Sequence, residues 1–126
     1  MASDKTQVVA IVDDDESIRN ALCGLLKSYD LEPRPFSSAA EFLDSDDRDD
    51  VACVITDIQM PGMSGLELQS RLSQEHPQVP VIFITAYGEP KVRAQAMSTG
   101  AFALLEKPFD NHVLMDSIRA ALELKP

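Results

Sequence analysis

Residues 8–15 read Val8-Val9-Ala10-Ile11-Val12-Asp13-Asp14-Asp15, an unbroken apolar run that ends on three aspartates. A strand that is apolar at every position, rather than at alternate positions, is typical of a parallel sheet covered by helices on both faces. Aspartate is rare inside strands, so the strand is expected to end where the carboxylates begin. This stretch therefore predicts a buried central strand with acidic groups at its carboxyl end.

Strand and helix patterns alternate along the rest of the chain. Ile18, Leu22 and Leu25 recur at intervals of four and three residues, which places them on one face of a helix after the first strand. The five predicted strands are Val8–Val12, Glu32–Phe36, Val51–Thr56, Val81–Ile84 and Phe102–Leu105. Strands that alternate with helices predict an α/β fold, a three-layer (βα)5 sandwich around a parallel five-stranded sheet.

The second strand carries two prolines, Pro33 and Pro35. Proline has no N–H to donate, and the N–H groups of alternate residues point to the same side of a strand. One side of this strand therefore lacks donors, which favours an edge position with the proline side facing solvent. With strand 2 at the edge beside strand 1, the predicted order of the sheet is 2-1-3-4-5.

Two predicted helices begin with the sequence pattern of a capping box. Ser38 precedes Glu41 by three residues, and Ser64 precedes Glu67 by the same interval. In such a box the serine and glutamate side chains each accept a hydrogen bond from the other residue's backbone N–H. We expect helices to begin after Ser38 and Ser64.

Polar side chains follow four of the predicted strands at their carboxyl ends. Asp13 and Asp14 follow strand 1, Asp57 follows strand 3, Thr85 follows strand 4 and Lys107 follows strand 5. In an open α/β sheet, ligands bind at the carboxyl ends of the strands where the strand order reverses. The order 2-1-3-4-5 reverses between strands 1 and 3, so we expect the three carboxylates to meet there.

A cluster of three carboxylates needs a cation, because two such charges about 4 Å apart repel by roughly 4 kcal/mol at an effective dielectric constant of 20. Oxygen ligands without histidine or cysteine favour Mg²⁺. Beside the metal, the Lys107 ammonium and the Thr85 hydroxyl can contact phosphoryl oxygens, and an aspartate can act as the nucleophile. The residues therefore predict Mg²⁺-dependent phosphoryl transfer.

The chain resembles the response-regulator receiver family from Val8 to about Leu122. The stretches that carry the resemblance are Ile11-Val12-Asp13-Asp14-Asp15, Thr56-Asp57-Ile58-Gln59-Met60-Pro61-Gly62-Met63-Ser64-Gly65, Ile84-Thr85-Ala86 and Glu106-Lys107-Pro108-Phe109. The resemblance implies a flavodoxin-like fold. It also implies one receiver domain over residues 1–126, with an ordered core of approximately residues 7–124 and no output domain.

The resemblance also implies a role for each site residue. Asp57 would be the phosphoacceptor, Thr85 and Lys107 would contact the phosphoryl group, and the peptide bond from Lys107 to Pro108 would be cis. The implied Mg²⁺ ligands are Asp13, acting through water, Asp14, Asp57 and the backbone carbonyl of Gln59. By analogy, Gln59 and Tyr87 would tune how fast water reaches the aspartyl phosphate.

The implied partners are those of a two-component signalling system. The phosphoryl donor would be a phosphohistidine on a sensor histidine kinase. Phe36-Ser37-Ser38-Ala39 and Glu106-Lys107-Pro108-Phe109 are similar to FixJ-type transcription factors, which implies a C-terminal or separate DNA-binding output domain. A phosphorylation-dependent homodimer is a further expectation.

One position departs from the family pattern. The family has Phe or Tyr three residues before the site lysine, where this chain has Leu104. In the family that ring swings inward as the threonine moves toward the phosphoryl group. We expect phosphorylation still to reorganise the face made by strand 5 and the helices before and after it, but with a smaller side-chain signal.

Composition excludes several other classes of protein. The net charge of -10 opposes direct binding to nucleic acid or to an anionic membrane. No apolar stretch approaches the roughly 20 residues of a membrane span, and the N-terminus has no signal-peptide core, so a cytoplasmic location is expected. The acidic run over residues 44–50 lacks the glycine and glutamate of an EF-hand and is expected to be a solvated loop.

Three other functions are less consistent with the sequence. A phosphatase similar to the haloacid dehalogenase family would use Asp13 as its nucleophile and would leave Asp57 without a role. An FMN-binding flavodoxin needs a phosphate loop rich in glycine and hydroxyl groups after strand 1, where this chain has aspartates. An unphosphorylated interaction module on the same scaffold would not need the complete set of site residues.

Overall fold

The computed structural model describes residues 7–46, 50–86 and 88–123. In these residues strands and helices alternate along the whole chain. The strands are β1 (Val8–Val12), β2 (Glu32–Phe36), β3 (Cys53–Asp57), β4 (Val81–Thr85) and β5 (Ala103–Glu106). The helices are α1 (Glu16–Ser28), α2 (Ala39–Asp44), α3 (Gly65–Glu75), α4 (Pro90–Ser98) and α5 (Asn111–Glu123).

The strands form one parallel sheet in the order β2-β1-β3-β4-β5. This arrangement confirms the predicted α/β fold and its strand order. The order reverses between β1 and β3, so the carboxyl ends of these two strands border the crevice where ligands bind in such sheets.

The core has two layers because successive side chains of a strand point to opposite faces of the sheet. On one face, strand residues that include Val9, Ile11, Ile55 and Ile84 pack against helix residues of α1 and α5, which include Leu22, Leu26, Leu114 and Ile118. On the other face, strand residues that include Ala10, Val12, Val54 and Phe83 pack against helix residues of α2, α3 and α4, which include Phe42, Leu68, Leu72 and Ala96. Helices therefore cover both faces, which explains why β1 is apolar at every position.

β2 is the edge strand that its prolines predicted. Pro33 and Pro35 lie opposite Val9 and Ile11 of β1. The N–H of Glu32 donates to the carbonyl of Gln7 at 2.9 Å, so the even-numbered residues direct their N–H groups toward β1. The prolines therefore occupy the positions whose N–H groups would face away from the sheet.

The two predicted capping boxes have different outcomes. The Ser64 hydroxyl accepts from the Glu67 N–H at 3.2 Å and the Glu67 carboxylate accepts from the Ser64 N–H at 3.0 Å, which confirms the second box. At α2 the Ser38 hydroxyl caps the helix as predicted, accepting from the Glu41 N–H at 3.0 Å. The Glu41 carboxylate, however, accepts from the N–H of Ser37 at 2.6 Å, because the chain before α2 presents that donor instead.

Three strands differ from their predicted bounds: β4 ends at Thr85 rather than Ile84, and β3 and β5 are shifted along the sequence. β3 begins at Cys53 rather than Val51, because the paired register starts at Val9 with Cys53, and it includes Asp57, which pairs with Ile84. β5 runs from Ala103 to Glu106, one residue later than predicted, because its partner β4 continues to Thr85.

Two further expectations concern the acidic loop over residues 44–50 and the absence of a membrane-spanning helix. Part of the acidic loop, residues 47–49, lies outside the described residues. Among the helices of the described segments, none combines the length and the apolar character that a bilayer crossing requires.

Candidate functional site at the carboxyl edge of the sheet

Three aspartates meet at the crevice between β1 and β3. Asp13 and Asp14 directly follow β1, and Asp57 is the last residue of β3. One carboxylate oxygen from each lies within 4.8 Å of the others. The predicted convergence of the three carboxylates is therefore confirmed.

Lys107 lies next to two of these carboxylates. Its Nζ is 3.0 Å from Oδ2 of Asp57 and 3.4 Å from Oδ2 of Asp13. The side chains of Lys107, Asp57 and Asp13 are 18%, 12% and 1% exposed, so little solvent separates the charges. Burial alone would lower the pKa of Lys107, but the hydrogen bond to Asp57 and the two negative charges outweigh it and raise the pKa, so the side chain stays protonated.

The Asp13 carboxylate is the most deeply placed of the three. Burial raises its pKa, although the Asp15 N–H, which donates to Oδ1 at 2.9 Å, and the Lys107 ammonium both act in the opposite direction. The ammonium of Lys107 compensates only one of the three negative charges in the cluster. The cluster therefore favours a further cation.

The donor set fits a hard divalent cation. The cluster consists of carboxylate oxygens, and it has no histidine or cysteine among the described residues. Asp13 and Asp57 are buried whereas Asp14 is exposed, so the cluster is closed toward the core and open toward solvent. A cation that keeps several waters, as Mg²⁺ does, suits a site that is open on one side.

Asp57 receives hydrogen bonds at both carboxylate oxygens. Lys107 contacts Oδ2, and the N–H of Gln59 donates to Oδ1 at 3.2 Å. The backbone carbonyl of Asp57 accepts from the Thr56 hydroxyl at 3.0 Å. These contacts fix the direction of the carboxylate at the end of the strand.

Gly65 allows α3 to begin directly against Asp57. A Cβ atom at position 65 would lie 2.1 Å from the backbone carbonyl oxygen of Asp57, so no other residue fits there. The N–H of Gly65 donates to the carbonyl of Ile58 at 2.8 Å. The start of α3 is thereby held against the backbone that carries the Asp57 carboxylate.

Thr85 is buried at the end of β4, and its carbonyl accepts from the N–H of Lys107 at 2.7 Å. This hydrogen bond ties the ends of β4 and β5 together beside the carboxylates. The predicted cis peptide bond between Lys107 and Pro108 is present. The structure therefore brings Thr85 and Lys107 to the same edge of the sheet as Asp57.

Gln59 and Tyr87 have different outcomes. Gln59 is exposed beside Asp57, and the contact that the structure shows is from its N–H, so the metal-binding role of its carbonyl stays a prediction. Tyr87 lies outside the described residues.

Arg19 is a site residue that the sequence analysis missed. Its Nη1 donates to the backbone carbonyl of Asp13 at 2.7 Å from the second turn of α1. Asp15 caps the same helix by accepting from the N–H groups of Ser17 and Ile18. An arginine one turn after an N-cap aspartate was the available signal, because a long side chain at that position can fold back over the strand end.

Leu104 is already inside the protein in this structure. It is 8% exposed and belongs to the core layer between the sheet and α4. The Leu104 side chain therefore cannot move from solvent into the core. The aromatic ring of the family pattern is expected to make such a movement.

Comparisons with known proteins agree with this geometry. The family model for the response regulator receiver domain matches residues 9–119. The chain is 45% identical over 116 residues to the transcriptional regulatory protein TdiR of Thauera aromatica, covering 92% of this chain and 51% of TdiR. It is 40% identical over 124 residues to the response regulator protein TodT of Pseudomonas putida, covering 98% of this chain and 55% of TodT.

The crystal structure of FixJ-N superposes with a TM-score of 0.84 at 34% identity, covering 95% of this chain and 96% of that one. The expected similarity to FixJ-type regulators is thus confirmed. The chain spans about half the length of the curated relatives it matches. From Val9 in the first strand to Arg119 in the last helix, this chain belongs to the family of response regulator receiver domains.

Proposed function

We propose that this domain accepts a phosphoryl group on Asp57 from the phosphohistidine of a sensor histidine kinase, in a Mg²⁺-dependent reaction. The observation that carries this choice is the combination of access and charge at Asp57. Its side chain is 12% exposed, more than that of Asp13, and accepts a hydrogen bond from Lys107 at 3.0 Å. Asp13 also contacts Lys107, but its side chain is 1% exposed. Asp14 is exposed, and among the described residues no ion pair of Asp14 with Lys107 is found.

In the proposed reaction a carboxylate oxygen of Asp57 forms a bond to phosphorus while the bond between phosphorus and the donor histidine nitrogen breaks. Lys107 offers its ammonium to the developing negative charge on the phosphoryl oxygens, and Thr85 donates its hydroxyl hydrogen to one of them. Asp13 through water, Asp14, Asp57 and the carbonyl of Gln59 would hold Mg²⁺. When bound, Mg²⁺ would offset the charge of the carboxylates and of the incoming phosphoryl group.

Two alternatives fit the structure less well. A phosphatase with Asp13 as nucleophile would require substrate to reach a side chain that is 1% exposed. An unphosphorylated interaction module would not explain why Lys107 is placed between two carboxylates that are 94 and 50 residues away in the sequence.

The test is incubation with acetyl phosphate and Mg²⁺, followed by mass spectrometry of the peptides to locate the phosphoryl group. We expect modification at Asp57, loss of modification in Asp57→Asn and in the presence of EDTA, and full modification in Asp116→Asn. Asp116 is an exposed aspartate on α5 that does not belong to the carboxylate cluster, so its substitution removes the same charge outside the cluster. Modification at Asp13, or no modification even with a cognate kinase, would contradict the proposal.

The site is also proposed to promote loss of the phosphoryl group. Gln59 is exposed next to Asp57, where its side chain can influence the approach of water to the aspartyl phosphate. The same residues that stabilise charge during transfer from the kinase can stabilise it during hydrolysis. The lifetime of the modified protein in the mass-spectrometric assay measures this activity.

The proposed output is control of transcription in the cytoplasm. The relatives include proteins named as transcriptional regulatory proteins, and they are about twice as long as the segment that matches this chain. We therefore propose a DNA-binding output domain, C-terminal or separate, that responds to the face made by α4, β5 and α5, with a phosphorylation-dependent homodimer as one form of response. The net charge of -10 supports control of a DNA-binding partner rather than direct contact with DNA.

A further inference from the structure

An ion pair crosses from the end of β5 to the first turns of α4. Nη2 of Arg93 lies 2.8 Å from Oε1 of Glu106. Arg93 is on α4 and Glu106 is the last residue of β5, so the pair connects two elements of the face proposed to carry the output. The two side chains are 46% and 52% exposed, which leaves the pair open to screening by salt.

Gly88 provides the space that the Glu106 side chain occupies. A Cβ atom at position 88 would lie 2.1 Å from both Cδ and Oε1 of Glu106. The carboxylate therefore rests against the backbone just before α4 while it accepts from Arg93. Because the crowded atoms are at the end of a flexible side chain, an alanine at position 88 would displace the carboxylate without disturbing the backbone.

Glu106 is adjacent to both residues that are proposed to contact the phosphoryl group, Thr85 on the neighbouring strand and Lys107 in the sequence. It pairs in register with Thr85, and the next residue, Lys107, donates its N–H to the carbonyl of Thr85 at 2.7 Å. A displacement of Thr85 toward a phosphoryl group would therefore also displace the neighbouring end of β5. The Glu106 carboxylate would change its position relative to Arg93.

The beginning of α4 is also held by Val92, which is partly buried and packs against the core. Ala96 is the buried residue of this helix, and the N-cap residue Glu89 makes no side-chain capping hydrogen bond. At the other end, Nε2 of Gln69 donates to the carbonyl of Thr99 at 3.1 Å, which attaches the end of α4 to α3. The pair between Arg93 and Glu106 therefore adds to the packing of Val92 at the start of α4, whereas Gln69 holds the other end of the helix.

We propose that Arg93 and Glu106 are positioning residues whose ion pair over Gly88 holds the start of α4 in its resting place and transmits the displacement of Thr85 to that helix. The pair would couple Thr85 to α4. In the family pattern an aromatic ring that moves inward has this role, and the buried Leu104 cannot make that movement. The inference has two halves: the resting half is that the pair holds the start of α4, and the transmitted half is that the pair passes on the displacement of Thr85. The transmitted half rests on the proposed phosphorylation of Asp57. The resting half does not, so the two can be tested separately.

The resting half is tested by hydrogen–deuterium exchange of the full chain without any phosphoryl donor. In Arg93→Ala, Glu106→Gln and Gly88→Ala, we expect amide exchange in the first turns of α4 to rise about two- to fivefold, the range that a single exposed ion pair can supply. Arg93→Lys keeps a cation at this position and should restore most of the protection. Arg71→Ala is the matched control, because it removes another exposed ion pair, with Glu75 on α3, and should leave α4 unchanged.

The transmitted half is tested by repeating the exchange with beryllofluoride and Mg²⁺, with phosphorylation of Asp57 checked in parallel by mass spectrometry. Exchange in α4 should rise on activation in the wild-type chain and in Arg93→Lys. In Arg93→Ala the rise should be smaller, because the contact is already lost. High salt should move the wild-type resting exchange toward the value of Arg93→Ala, a response that a purely structural contribution of the arginine stem would not show.

Unchanged α4 exchange in all three disrupting variants at rest would overturn the inference, whether or not Asp57 becomes phosphorylated. An equal rise in Arg93→Lys and Arg93→Ala would overturn it as well, because retention of the charge would then make no difference. Failure of phosphorylation with altered resting exchange would instead contradict the proposed function and leave the positioning role of the pair supported.

Discussion

At the scale of a single residue, the burial of Asp13 links the stability of the fold to pH. Its pKa is raised above the ordinary value of 3.8, mainly by burial. Below that value the carboxyl is protonated in both the folded and the unfolded chain and has no effect on stability. As the pH rises through the raised folded-state pKa, the unfolded chain releases its proton more readily, so the free energy of unfolding falls.

We therefore predict that Asp13→Asn is more stable than the wild-type chain at neutral pH in EDTA, by roughly 0.5–2 kcal/mol, the common size of a stabilising substitution. The amide keeps an oxygen that can accept from the Asp15 N–H but carries no charge. The difference should disappear as the pH falls toward about 4, the ordinary pKa range of an aspartate. Urea unfolding followed by circular dichroism across this pH range measures it.

The control for this experiment is Asp116→Asn, which removes an exposed charge on α5. Its stability should differ little from that of the wild-type chain at each pH. A wild-type chain that is more stable than Asp13→Asn at neutral pH in EDTA would show that the contact with Lys107 outweighs the burial of Asp13.

At the scale of elements, α3 connects a helix cap to the site. Ser64 and Glu67 form a complete capping box. Gly65, which follows Ser64 and is the first residue of the helix, lies against the backbone carbonyl of Asp57. A helix that frays at its first turn would loosen the contact that holds this backbone. We therefore expect the cap to contribute both to stability and to the position of Asp57, the proposed phosphoacceptor.

We predict that Ser64→Ala lowers the free energy of unfolding by about 1 kcal/mol, the usual effect of losing an N-cap side chain. It should also slow phosphorylation of Asp57 by acetyl phosphate, measured by mass spectrometry at fixed time points. Ser38→Ala is a matched control, because Ser38 caps α2 in the same way at a helix that carries none of the proposed site residues. Equal rates of phosphorylation in the two variants would show that the cap of α3 serves stability alone.

At the scale of the whole molecule, ligand binding at the carboxyl edge acts on the stability of the entire fold. Asp13 and Asp14 follow β1 and Asp57 ends β3, so a cation shared by them would join the two central strands. A ligand that binds the folded chain alone raises the free energy of unfolding according to its concentration relative to Kd.

We predict that Mg²⁺ at a hundred times its Kd raises the free energy of unfolding by about 2.7 kcal/mol. Circular dichroism in urea is the appropriate measurement, because the chain has no tryptophan to report by fluorescence. The increase should be much smaller in Asp57→Asn, which removes one carboxylate of the cluster. Identical unfolding curves in Mg²⁺ and EDTA would show that the cluster does not bind the ion.

The sequence by itself determined the order of strands and helices, the edge position of β2 and the identity of the residues at the strand ends. These features depend on local causes: burial on both faces makes β1 apolar throughout, and proline lacks the N–H that an inner strand needs. Since all strands run in parallel, residues that follow them must share one edge. The positions of Asp13, Asp57, Thr85 and Lys107 could therefore be predicted without coordinates.

The tertiary structure alone decided how those residues are joined and how the site connects to the rest of the molecule. It placed Arg19 on the carbonyl of Asp13, the Glu106 carboxylate over Gly88 beside Arg93, and Leu104 within the core. Each contact depends on the direction of a side chain and on how closely two elements approach. These are set by packing between segments far apart in the sequence, which no local pattern of residues records.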